Sequence, residues 1–141
     1  MQDFKNLKVW RKSHALTLEV YRAVQGFPQE ERFGLARQLK GAAVSVESNL
    51  AEGSARSGDS DFRRFAWMSL GSVCEVECQL IISRDLSFLP AAGFERLHSA
   101  CQEVRRMLVA LIRRLAVTTS PTSRRRSRRK LPDERRPAFE A

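Results

Sequence analysis

Histidine and cysteine are scarce in this 141-residue sequence, which has two of the first and three of the second. Three thiols cannot pair completely, so a disulfide-stapled secreted scaffold is excluded and a reducing compartment is expected. Seven Gly and five Pro are too few for a collagen-like, loop-rich or wholly disordered chain. No apolar run approaches the roughly 18 residues of a membrane span, so no membrane partner is expected. Met1 to Lys12 is charged and amphipathic and lacks the apolar stretch of a signal peptide, so the expected location is cytoplasmic. There is no Gly-rich phosphate loop and no Gly-x-Ser-x-Gly turn, and no spacing suggests a nucleophile beside a base.

Positive charge and apolar residues are present in quantity. Apolar types make up 43 % of the chain, enough for a core, and the formal net charge is +9. Residues 1–117 hold 17 Lys or Arg and 13 Asp or Glu, a net +4; residues 118–141 hold 8 and 3, a net +5. The second segment opens with the helix-breaking run Thr118-Thr119-Ser120-Pro121-Thr122-Ser123. Arg124, Arg125, Arg126, Arg128, Arg129 and Lys130 follow. So polar a segment cannot bury enough apolar surface to offset its ordering entropy, and it is expected to be disordered. Its charge suits phosphate backbones, although solvated charge runs are common. Arg outnumbers Lys 20 to 5, which suggests a GC-rich coding sequence and a bacterial source.

Residues 1–117 read as a domain of four helices. The first spans Lys5 to Gln25, with Leu7, Trp10, His14, Leu18, Tyr21 and Val24 or Gln25 on its expected inner face, and Gly26-Phe27-Pro28 ends it. The second starts near Gln29, with Glu30 and Glu31 in a first turn that favours negative charge. Its stripe is Leu35, Leu39, Ala42, Val46, Asn49 or Leu50, and Gly53. After the break at Ser57-Gly58-Asp59-Ser60, where Asp59 or Ser60 suits a cap, the third carries Phe62, Phe65, Ser69, Val73, Val76 and Leu80. Leu89-Pro90 to Gly93 separates it from the fourth. There Leu97, Cys101, Val104, Leu108, Leu111 and Leu115 step by four and three, an a/d seam. Short connections make consecutive helices antiparallel, so the expected fold is an all-α up-down-up-down four-helix bundle with a disordered basic C-terminal tail.

The second helix is rich in small residues: Gly41, Ala42, Ala43, Ser45, Ser48, Ala51 and Gly53. Gly41 costs about 1 kcal/mol against Ala in a helix interior, which asks for close packing within the bundle or against another subunit. Asn49, Glu52, Arg56 and Glu75 are polar residues on or beside apolar stripes. They read as a polar network that fixes register or joins subunits, or as solvated pairs such as Glu52 with Arg56 four residues on.

Metal and catalytic readings fall short. Glu95-x-x-His98 has the ligand spacing of di-iron bundles, but those need a second such motif, and His14 has no Glu three residues before it. Cys74, Cys78 and Cys101 are too few for a four-ligand zinc site and read as small core residues. Neither His follows an Arg by four to seven residues, as a helical-bundle nuclease motif asks. No cofactor, metal or enzyme activity is expected.

The pattern Phe4-x-x-Leu7-x-Val9-Trp10, Tyr21, Phe27-Pro28-x-x-Glu31-x-x-Gly34-Leu35-x-x-Gln38-Leu39, Ala42-Ala43-Val44-Ser45-Val46, Asn49-Leu50-Ala51-Glu52-Gly53-x-x-Arg56, Phe62-x-x-Phe65 and Gly71-Ser72-x-x-Glu75-x-x-x-x-Leu80 runs through the domain. It resembles the four-helix-bundle proteins encoded within 23S rRNA intervening sequences, a family similar to the accessory variability determinant of diversity-generating retroelements. The resemblance implies an antiparallel bundle, a ring-shaped homopentamer with a basic surface, and RNA, DNA or a reverse transcriptase as partners. Glu47 and Gly41 depart from the family pattern, and both make the second helix less positive. The function expected is a non-catalytic, oligomeric nucleic-acid-binding accessory protein, with a protein-interaction scaffold as the alternative. Its phosphate contacts are expected from Lys5, Lys8, Arg11 and Lys12 at the start of the first helix and from the six cations of the tail.

Overall fold

The computed structural model describes residues 2–118. Arg124, Arg125, Arg126, Arg128, Arg129 and Lys130, and the disorder expected around them, lie outside the described residues. Four helices make up the domain: α1 (Lys8–Ala23), α2 (Leu35–Ser54), α3 (Asp59–Asp85) and α4 (Ala91–Thr118), with no strand among the described residues.

Contacts at matched heights set the direction of every neighbouring pair. His14 and Tyr21 of α1 meet Glu47 and Lys40 of α2. On α3, the Ser69 hydroxyl donates to the Val46 carbonyl of α2. Glu77 and Arg84 of α3 meet Arg105 and Phe94 of α4, and Lys12 and Glu19 of α1 meet Glu103 and Arg96 of α4. In each pair one number rises as the other falls, so the helices run up, down, up and down around one core. That core holds Leu39, Val46, Leu50, Val73, Leu80, Leu97, Val104 and Leu108.

The expected stripes of α2, α3 and α4 are the buried ones. α1 is the exception. Its inner face is Val9, Ser13, Leu16, Thr17 and Val20, while Leu18 and Tyr21 are 42 % and 46 % exposed. The core accepts the two hydroxyls because each is satisfied. Ser13 donates to the Val9 carbonyl at 2.7 Å, and Thr17 reaches the Ser13 and Ala43 carbonyls at 3.0 and 3.2 Å.

Three boundaries also differ from expectation. Glu30 and Glu31 sit in a separate 3-10 turn, and Glu31 caps α2 from outside by accepting the Leu35 N–H at 3.0 Å. Neither Asp59 nor Ser60 caps α3, because Gly58 precedes it without a side-chain bond. α3 ends at Asp85, before the expected Leu89-Pro90 break, and Ser87 just beyond it takes φ 62°. Ser87 and Phe88 N–H groups return to the Arg84 and Ser83 carbonyls, both at 2.9 Å, which closes the helix end with serine where glycine is usual. Gly93 consequently lies inside α4.

Close packing explains only one of the glycines singled out above. A Cβ on Gly53 would stand 2.6 Å from Phe65 Cβ and 2.9 Å from Phe62 Cδ2, so α2 and α3 touch there through the missing side chain. Gly41 and the mid-helix Gly71 have nothing within 4 Å of a built Cβ. Neither serves packing within the chain. α3 is long and apolar enough to cross a membrane by composition, although only 39 % of its apolar window is buried. The rest of that apolar character lies on its outer face, on Trp67, Met68 and Ile82.

Candidate nucleic-acid interface at one end of the bundle

Antiparallel packing sorts the charges by height. One half of the bundle is built from residues 2–14, 45–72 and 105–118. It carries eleven Lys or Arg and five Asp or Glu, a net +6. The other half, residues 15–44 and 73–104, carries six and eight, a net −2. The two add to the +4 of the ordered region.

Pairing divides the cations further. Lys5 lies 3.9 Å from Asp3, and Lys12 lies 3.3 Å from Glu103. Arg56 is held by Glu52 at 3.0 Å and Asp61 at 3.8 Å, and Arg64 by Asp61 at 3.0 Å. Arg105 stands 3.6 Å from Glu77. No ion pair with another described residue occupies Lys8, Arg11, Arg63, Arg106, Arg113 or Arg114. Of the four α1 residues expected to touch phosphate, Lys8 and Arg11 are therefore free and Lys5 and Lys12 are partly neutralised.

Three of the free cations, Arg106, Arg113 and Arg114, come from α4, where only the apolar seam stands out in the sequence. Lys8 and Arg114 line one groove between the N-terminal segment and α4. Arg105, Arg106 and Arg113 line a second groove along α4, with Gln102, Val109 and Ala110. The signal was present in the sequence: no Asp or Glu occurs between Glu103 and Asp133. α4 ends at Thr118 on this same half, so the +5 segment that follows is tethered to it.

The residues expected to form a polar network make separate, local contacts. Glu52 and Arg56 form an exposed i,i+4 pair. Asn49 donates to the Ser45 carbonyl of its own helix at 2.9 Å. Glu75 is exposed and accepts from Gln79 at 3.3 Å, which corrects its placement among the buried valines. Gly53 is buried against α3 and Gly41 faces outward. Glu47 is set back from the basic surface: its side chain turns to His14 at 2.9 Å and is 14 % exposed.

The thiols also divide. Cys74 and Cys78 are exposed, against expectation, and Cys101 is buried. Burial pushes the Cys101 thiol up to about 12, with smaller contributions from Glu77 and Cys74, so it stays protonated and unreactive. Among the described residues no group of three or more His, Cys, Asp or Glu side chains is placed to hold a metal ion. His98 faces Glu77 at 3.8 Å and stacks on Phe94.

The fold and this charge distribution define an antiparallel four-helix-bundle protein with one cationic end. Residues 5–110 match the family described as 23S rRNA-intervening sequence protein, and the chain belongs to that family. Among solved structures it is similar to a protein of unknown function from the S23 ribosomal protein family of Bacteroides thetaiotaomicron. The two share 18 % identity at a TM-score of 0.67, over 74 % of this chain and 97 % of that one, a likeness of fold. No curated protein matches the chain.

Proposed function

We propose that this protein is a non-catalytic, cytoplasmic, nucleic-acid-binding accessory protein that works as a homo-oligomer and grips phosphate backbones with the basic half of its bundle. The segregation of charge carries the reading. Eleven cations against five anions gather on one half, and six of the eleven have no ion pair among the described residues. Free cations at one end neutralise phosphates and release counterions, which needs no base-reading element.

Two exposed apolar faces support assembly. Leu18 and Tyr21 of α1 and Val44 of α2 are exposed, and Tyr21 meets Lys40 next to the open Gly41. Cys74, Cys78 and Ile82 are exposed on the outer face of α3 in its second half, away from the basic end. A ring needs two different faces on each copy, because its contacts are heterologous. Five subunits follow from the family resemblance, and a ring of weak cationic sites gains affinity by avidity.

Fluorescence anisotropy with labelled RNA at increasing salt tests the binding. The expected result is a linear fall of log affinity with log salt, at about −0.7 per neutralised phosphate on a single strand. Absence of binding at low salt overturns the reading. A protein partner retained after nuclease treatment, such as a reverse transcriptase, would then favour the scaffold alternative. Light scattering tests assembly, and a monomeric mass at micromolar concentration refutes the ring.

A further inference from the structure

We propose that Trp67 is a stacking platform for an unpaired base, so that the basic half prefers single-stranded nucleic acid; the inference rests on the function proposed above. The two tryptophans differ sharply. Trp10 is half-buried, stacked on His14 at 5.0 Å with Phe4 edge-on at 4.9 Å. Trp67 lies on the outer face of α3, is 51 % exposed, and makes no ring or cation contact with any described residue. An exposed indole in water is unfavourable, so its position asks for a ligand.

Its surroundings are cationic and open. Arg63 and Arg64 lie one turn before it, and Arg63 has no ion pair and a buried Nε without a hydrogen-bond acceptor. The Glu77–Arg105 contact fixes the antiparallel register of α3 and α4. Eight residues on, Arg113 of α4 stands at the height of residue 69, so its charge belongs to the same end of the bundle as Trp67. One turn after Trp67 comes Gly71. A helical side chain leans toward the N-terminus, so a bulky residue at 71 would crowd the approach to Trp67. A Cβ built at Gly71 meets nothing within 4 Å, so no neighbouring helix requires the glycine there. The glycine leaves the Trp67 ring uncovered.

Charge selects the occupant. The half around Trp67 carries a net +6, so a second copy docking there through its own basic half would bring cations against Arg63 and Arg64. A polyanion with exposed bases supplies phosphates for the guanidinium groups and a π face for the indole. Duplex bases are already stacked on one another, so only an unpaired base can use the ring.

The test uses the full chain with short oligo(dT), oligo(U) and a duplex of equal length, read by anisotropy and tryptophan fluorescence. Trp67→Ala should weaken single-strand binding by about 5- to 150-fold, the range of one base–aromatic stack, and barely change duplex binding or the salt slope. Trp10→Phe should keep the quenching on oligo(dT), and Trp67→Phe should lose most of it. Gly71→Leu, which replaces a weak helix former, should keep the fold and reproduce the single-strand loss. Unchanged single-strand affinity in Trp67→Ala, with salt-dependent binding intact, overturns the stacking site and leaves the basic-half reading standing. A fall in oligomer mass on Trp67→Ala overturns it in favour of a subunit contact. No nucleic-acid binding by the unaltered protein overturns both readings.

Discussion

The two ends of this bundle share one core and differ in almost everything outside it. At one end α2 and α3 meet through Gly53 and the surface carries a net +6 with six free cations. At the other end the net charge is −2, and Tyr21 with Lys40 over its ring stands beside the open Gly41. α2 is therefore packed tightly against α3 at Gly53 and open to solvent at Gly41. Antiparallel packing produces the charge difference. It brings the start of α1 level with the last turns of α4, so two modest clusters far apart in sequence become one surface.

Leu108 tests whether the ends share one core. It is fully buried on α4, and Leu108→Ala should cost about 2–5 kcal/mol while unfolding stays a single transition. Two separated transitions in chemical denaturation would divide the ends. Next in size is the tight contact. Gly53→Ala should destabilise the fold by about 1–3 kcal/mol, because the new methyl meets Phe65 and Phe62. Gly41→Ala should act the opposite way and stabilise the fold by about 0.5–1 kcal/mol, since the site is helical, exposed and empty. Equal effects of the two substitutions on the denaturation midpoint would remove the packing contrast. Smallest of all is the effect expected from ending the chain at Thr118, less than about 0.5 kcal/mol on the same curve. The thiols add a kinetic contrast: Cys74 and Cys78 should label in the native protein, and Cys101 only as the protein unfolds. Labelling of all three at one rate, followed by mass spectrometry, would contradict the burial of Cys101.

Much of the fold was legible in the sequence, and the reasons are local. The seam from Leu97 to Leu115 and the stripe from Phe62 to Leu80 are large apolar residues at helical spacing, and the buried faces follow them. α1 was read off by part of a turn. Ser13 and Thr17 sit in its core face with their hydroxyls satisfied, and Leu18 and Tyr21 lie outside, so hydrophobicity alone points to the wrong face. The end of α3 was read late because Ser87 takes a conformation usually left to glycine. Of the six free cations, Lys8 and Arg11 alone were visible. Arg106, Arg113 and Arg114 were not, because their meaning depends on which residues α4 brings alongside them. Glu47 shows the same dependence in reverse: it reads as surface charge until His14 is seen to take it up.

The central claim is that the basic half, and not the protein's overall charge, contacts phosphate. Two variants of equal net charge separate these. One carries Gln at Lys8, Arg11, Arg106 and Arg113; the other carries Gln at Arg22, Arg32, Arg37 and Arg96 on the opposite half. The decisive measurement is the slope of log affinity against log salt for a single-stranded RNA. The first variant should flatten that slope by about 3 and lose affinity, and the second should leave both nearly unchanged. Equal changes in the two variants, or a change only in the second, would contradict the account.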